Sequence, residues 1–91
     1  MEHLLQADHS IAENIIRIRK EQKLSQYVIA ARLQAMGLNY SRSRLSMIER
    51  KQRPIPANLI VGLAIIFQCD YDDLLNGLRN ELLEGINKTN A

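Results

Sequence analysis

Apolar residues recur at every third or fourth position through most of this chain, and nowhere do they alternate with period two, which is the pattern of an all-α fold. Ile11, Ile15 and Ile18 mark a first helix, about Ile11 to Gln22. Ser10 stands where its N-cap belongs, and Glu13 three residues on completes a capping box. Ser25 is a second N-cap. The helix after it opens with Gln26 and carries Val28, Ile29, Ala30 and Leu33 to about Met36, where Gly37 suits the left-handed turn that ends a helix. A turn through Tyr40 and a third N-cap, Ser41, introduce a short helix from Arg42 to about Arg50. The stretch KQRPIP is irregular, because Pro54 and Pro56 disfavour helical geometry in the residues before them. Pro56 then opens a fourth helix, with Leu59, Leu63, Ile66 and Phe67 spaced to face one core. Asp70 caps a fifth helix in CDYDDLL, with Asp72 and Asp73 in its first turn, where acids suit the helix dipole. The segment LRNELLEGI either extends that helix or docks separately, and NKTNA reads as a disordered tail. The organisation predicted is an N-terminal segment over residues 1–10, a compact five-helix domain over 11–77, and a C-terminal helical extension and tail over 78–91.

With 91 residues the chain has room for one domain and one core, and with 4% aromatic residues and no tryptophan that core is aliphatic. No apolar run approaches the roughly 20 residues that span a bilayer, and MEHLLQADHS has no basic segment leading into a hydrophobic one. The expectation is a cytoplasmic protein with no membrane partner. Cys69 is the single cysteine, so it forms neither an internal disulfide nor a zinc cluster. It reads as a small buried apolar group, with a reactive thiol as the alternative. His3 and His9 lie six apart without a third ligand type nearby and read as surface histidines. Asp70, Asp72 and Asp73 lack the glycine and terminal glutamate of a calcium loop. No catalytic constellation or phosphate-binding glycine loop stands out, so a non-enzyme without cofactors is expected.

The net charge of +2 conceals a strong asymmetry. From Arg17 to Arg53 ten lysines and arginines face two acids, Glu21 and Glu49, a balance of +8 that leaves −6 for the flanks. Such a block fits one surface for a polyanion, although a merely solvated set of cations would have the same composition. Placement on the third helix separates the two readings. Leu45, Ile48 and Glu49 share one side of it by their three- and four-residue spacings, and that side points inward. Arg42, Ser43 and Met47 project elsewhere, with Arg44 toward the flank. An exposed helix start bearing arginine and serine suits the DNA major groove, with the second helix crossing the backbone as in a helix-turn-helix. A carboxylate near such a surface repels phosphate unless it is paired, and Arg19 at the end of the first helix is the candidate partner for Glu49.

At these residues the chain resembles the phage repressor and Cro type of helix-turn-helix domain, also called the XRE family. The stretches IIRIRKEQKLSQYVIAARL, YSRSRLSMIERKQRPI and LAIIFQCDYDDLL carry the resemblance, over about Ile11 to Leu75. It implies that Gln26 contacts a phosphate, that Ala30 lets the second helix approach the third, and that Arg42, Ser43 and Met47 read bases. It further implies a structural ion pair between Arg19 and Glu49 and backbone contacts from Arg50, Lys51 and Arg53, to which Ser41 and Arg44 are added at the helix start. The chain departs from the family in its longer turn, AMGLNY, whose Met36 and Leu38 are expected to pack beneath it, and in the apolar Met47 at a base-reading position. The function implied is that of a sequence-specific regulator of transcription, a repressor binding double-stranded operator DNA as a homodimer. An apolar stripe of Leu78, Leu82, Leu83 and Ile86 is expected either to join two copies or to fold onto its own domain. Two other readings remain, an antitoxin whose acidic flanks meet a basic toxin and a protein-interaction module that has lost DNA.

Overall fold

The computed structural model describes the backbone over residues 2–90 and the side chains over residues 10–86. Six helices follow one another: α1 (Glu2–Glu21), α2 (Gln26–Ala35), α3 (Arg42–Glu49), α4 (Ala57–Phe67), α5 (Tyr71–Leu75) and α6 (Leu78–Asn90). No strand occurs among the described residues, so the chain is all-α as expected.

Four of the expected boundaries follow from the caps. The Val28 N–H donates to Ser25 Oγ at 3.1 Å, and the Arg44 N–H donates to Ser41 Oγ at the same distance, so each serine satisfies a backbone donor that the first helical turn would leave unpaired. Pro56 precedes α4 in extended geometry, and Asp70 precedes α5 with its N–H donating to Asp73 Oδ2 at 3.2 Å. The start of α1 differs from expectation. Helix runs through Ser10 from Glu2, because residues 2–9 contain strong helix formers and neither glycine nor proline, so no local signal stops the helix there. Ser10 is therefore not an N-cap; its hydroxyl donates to Glu81 Oε1 on α6 at 2.9 Å. Glu13 does not close a capping box and instead accepts from Lys51 Nζ at 3.1 Å. At the other end, LRNELLEGI forms a helix of its own after Gly77, whose φ of +90° breaks the path from α5. That helix continues through Asn90, where a disordered tail was expected. The side chains of His3 and His9 lie outside the described residues.

The core is aliphatic and draws on every helix before α6. Ile11, Ile15 and Ile18 from α1 meet Ile29, Ala30 and Leu33 from α2, Leu45 and Ile48 from α3, Leu59, Leu63, Ile66 and Phe67 from α4, and Leu74 from α5. Helix α4 is central, with apolar residues on nearly its whole circumference. Helix α1 packs against α3, α4, α5 and α6, so it ties α3 to the C-terminal part of the molecule. Asn14 is the buried polar residue of α1, and its Nδ2 donates to the carbonyls of Leu74 and Asn76, both at 2.8 Å. Two backbone acceptors at the end of α5 are thereby satisfied without water.

The long turn between α2 and α3 is built as a Schellman motif. Gly37 at φ +84° lets its own N–H reach the Gln34 carbonyl at 2.9 Å and the Leu38 N–H reach the Leu33 carbonyl at 2.9 Å. Leu33 and Leu38 then lie together over Gly62 of α4, where an added Cβ would come within 2.8 Å of Leu33 Cδ2 and 2.9 Å of Leu38 Cδ1. The inserted Leu38 thus packs beneath the turn as expected, while Met36 remains exposed.

Candidate nucleic-acid interface

Helix α3 is held from behind. Leu45 and Ile48 are buried, and Glu49 accepts two hydrogen bonds from Arg19, Nε to Oε2 at 2.7 Å and Nη2 to Oε1 at 2.9 Å. The third Arg19 nitrogen donates to the Leu24 carbonyl at 3.1 Å, and Gln26 Nε2 donates to Glu49 Oε1 at 3.0 Å. The only acid of α3 is therefore screened by a guanidinium and an amide, and its charge does not oppose an approaching polyanion. The same network joins the end of α1, the start of α2 and the end of α3.

The outer side of α3 is a ridge between two grooves. Ser43 and Met47, four residues apart, line both grooves and so form the crest. Gln26, Arg42, Ser46 and Arg50 line one groove. Ser41, Arg44, Arg53, Pro54 and Pro56 line the other. Arg42, Ser43, Arg44, Arg50 and Arg53 are exposed, and Ser46 and Met47 are half-buried. Each groove thus carries two arginines and no carboxylate.

Among the expected contact residues, Ser43 and Met47 form this ridge, and Gln26, Ser41, Arg42, Arg44, Arg50 and Arg53 line its two sides. Lys51 sits apart from both grooves, at φ +64°, with its ammonium on Glu13 of α1. Ser46 was not singled out from the sequence, although its spacing from Ser43 and Arg50 places it on their face. Tyr40 was read only as part of the turn. It is buried, its hydroxyl donates to Asn58 Oδ1, its carbonyl accepts from Gln34 Nε2 at 3.1 Å, and Arg44 lies over its ring with Cζ 4.5 Å from the centroid.

The rest of the surface offers less chemistry. Half-buried Cys69 has its thiol pKa pushed up, first by burial and then by Asp73 and Asp70, which disfavours the reactive thiolate. No group of three metal-ligating side chains occurs among the described residues, and no described helix is long and apolar enough to cross a membrane.

Comparison with known proteins agrees with this geometry. Residues 15–74, more than half of the chain, match the family model for the helix-turn-helix domain (HTH_3). No curated protein and no solved structure matches the chain. The matched span runs from the isoleucine stripe of α1 to Leu74 of α5 and contains both helices of the motif and the Arg19–Glu49 pair. The chain therefore belongs to the XRE-type helix-turn-helix family and is a DNA-binding regulator of that type.

Proposed function

We propose that the protein represses transcription by binding operator DNA as a homodimer, with α3 of each copy in the major groove. The observation that carries this reading is the ridge of Ser43 and Met47 between two grooves that each bear two arginines. A major groove about 12 Å wide admits one helix and has a phosphate strand on either side, so cations are needed on both flanks of the helix that enters it. In this reading Arg42 pairs with a guanine edge, Ser43 donates to or accepts from a base, and Met47 meets a thymine methyl. Gln26, Arg50 and Lys51 serve one strand and Ser41, Arg44 and Arg53 the other. Ser41 Oγ already accepts from the Arg44 N–H, which leaves the hydroxyl proton for a phosphate. Lys51, one of whose ammonium donors holds Glu13, has further donors for a phosphate. A lone domain reads a short half-site, so operator specificity calls for two copies on a two-fold site. Repression then follows from occupancy, since a bound dimer excludes other proteins from the promoter.

The test is selection of bound fragments from a randomised duplex library at near-physiological salt. An enriched inverted repeat is expected. Salt-sensitive binding without enrichment, or no binding, would refute the proposal and favour a protein whose function requires another polypeptide, such as a toxin.

A further inference from the structure

The residues that lengthen the α2–α3 turn deliver an aromatic ring to the base of the recognition helix. Leu38 anchors the turn over Gly62, and Tyr40 follows two residues later, with its N–H donating to the Leu38 carbonyl at 3.0 Å. The ring is buried and its hydroxyl is held by Asn58 of α4, while Gln34 of α2 holds the Tyr40 backbone carbonyl. Arg44 lies across it, and Arg44 Nη1 donates to the Asn39 carbonyl at 3.4 Å. An exposed arginine on a short helix ordinarily samples many rotamers and loses that freedom on binding. Here the guanidinium lies over a buried ring, while Arg44 lines the groove shared with Arg53, where its remaining N–H donors can meet a ligand.

We infer that Tyr40 is a positioning residue for DNA, holding Arg44 as a preset phosphate ligand on the Arg53 side of α3. The inference rests on the DNA-binding reading and adds to it a role for the lengthened turn. A ring–guanidinium contact at a solvent-facing site supports a loss of roughly two- to fivefold in affinity when the ring is removed.

The experiment is a fluorescence-anisotropy titration of a labelled mixed-sequence duplex over a series of salt concentrations. Arg44→Ala should lower the salt slope by about one, the signature of one lost phosphate contact. Tyr40→Leu should weaken binding in the wild-type background and have no further effect in the Arg44→Ala background, and Tyr40→Phe, which keeps the ring, should bind as the wild type does. Equal losses from Tyr40→Leu in both backgrounds, or equal losses from Tyr40→Phe and Tyr40→Leu, would overturn the inference while leaving DNA binding intact. If Tyr40→Leu does not fold, the Arg44 Hε proton resonance of the wild type decides. An upfield ring-current shift that moves on addition of duplex supports the contact, and a random-coil shift overturns it. A wild type that binds no duplex at any salt concentration overturns the proposed function and this inference together.

Discussion

Arg19 and Glu49, thirty residues apart, meet in a two-pronged ion pair that lies largely out of water, with side-chain exposures of 14% and 9%. Neither charge has a good substitute partner. Arg19→Ala would leave a carboxylate with only Gln26, and Glu49→Ala would leave a guanidinium with only the Leu24 carbonyl. Each single variant is expected to lose about 3 kcal/mol of unfolding free energy, read by urea denaturation. That is a large part of the roughly 5–15 kcal/mol available to a small domain. A melting curve unchanged in both variants would show that the pair is not effectively desolvated.

Gly62→Ala sets two effects against each other. Alanine in a helix interior gains about 1 kcal/mol over glycine, yet its Cβ would press on Leu33 and Leu38 at under 3 Å. Leu33 is fully buried, so its methyl shifts only against packed neighbours, and overpacking of this kind costs about 1–3 kcal/mol. A net loss of about 1 kcal/mol is expected, and adding Leu38→Val, which removes one of the two clashing methyls, should recover part of it. A more stable Gly62→Ala protein would show that the turn yields readily.

Arg42 and Arg53 should differ in kind. Arg42→Ala is expected to cost roughly 1–3 kcal/mol on the selected operator and to relax one base position. Arg53→Ala should weaken operator and random duplex alike and lower the salt slope by about one. Competitive binding measurements with both duplexes separate these outcomes. Equal losses on the two duplexes for Arg42→Ala would remove it from base reading.

Self-association through α6 has a direct check. Leu78 packs against the core, whereas Leu82, Leu83 and Ile86 are 47%, 45% and 54% exposed on adjoining positions of the helix. Leu82→Gln combined with Ile86→Gln is expected to yield a monomer by light scattering without loss of helicity. A second exposed group, Val61, Ile65 and Tyr71 on α4 and α5, supplies the contrasting variant, Ile65→Gln. Dimers that persist in the α6 variant and dissociate in Ile65→Gln would move the interface to α4 and α5.

Local chemistry made much of this protein legible in its sequence. Serines 25 and 41 cap because a hydroxyl one residue ahead of a helix can reach its free N–H groups, and Gly37 ends α2 because glycine tolerates positive φ. The isoleucines of α1 and the leucines of α4 reveal their buried faces by spacing alone. The inward side of α3, with Leu45, Ile48 and Glu49, was legible for the same reason. What failed at Ser10 was a local signal taken without its surroundings. A serine followed by an acid resembles a cap, but the helix-forming residues before it carry the helix through.

Other features depend on where separate helices meet. Asn14 falls in the middle of an apolar stripe, and only the packing of α5 against α1 brings two carbonyls to its amide. Gly62 looks like a flaw in an apolar helix until Leu33 and Leu38 close over it. Tyr40, Asn58 and Arg44 come from a turn and two helices, and Lys51 finds Glu13 across 38 positions. The sequence alone determined α2 to α5, the caps at Ser25 and Ser41 and the side of α3 that carries charge, because these follow from interactions within a few residues. Tertiary structure decided which polar groups are occupied and which remain for a ligand, because hydrogen bonds and close contacts across helices depend on distances that spacing along the chain does not contain.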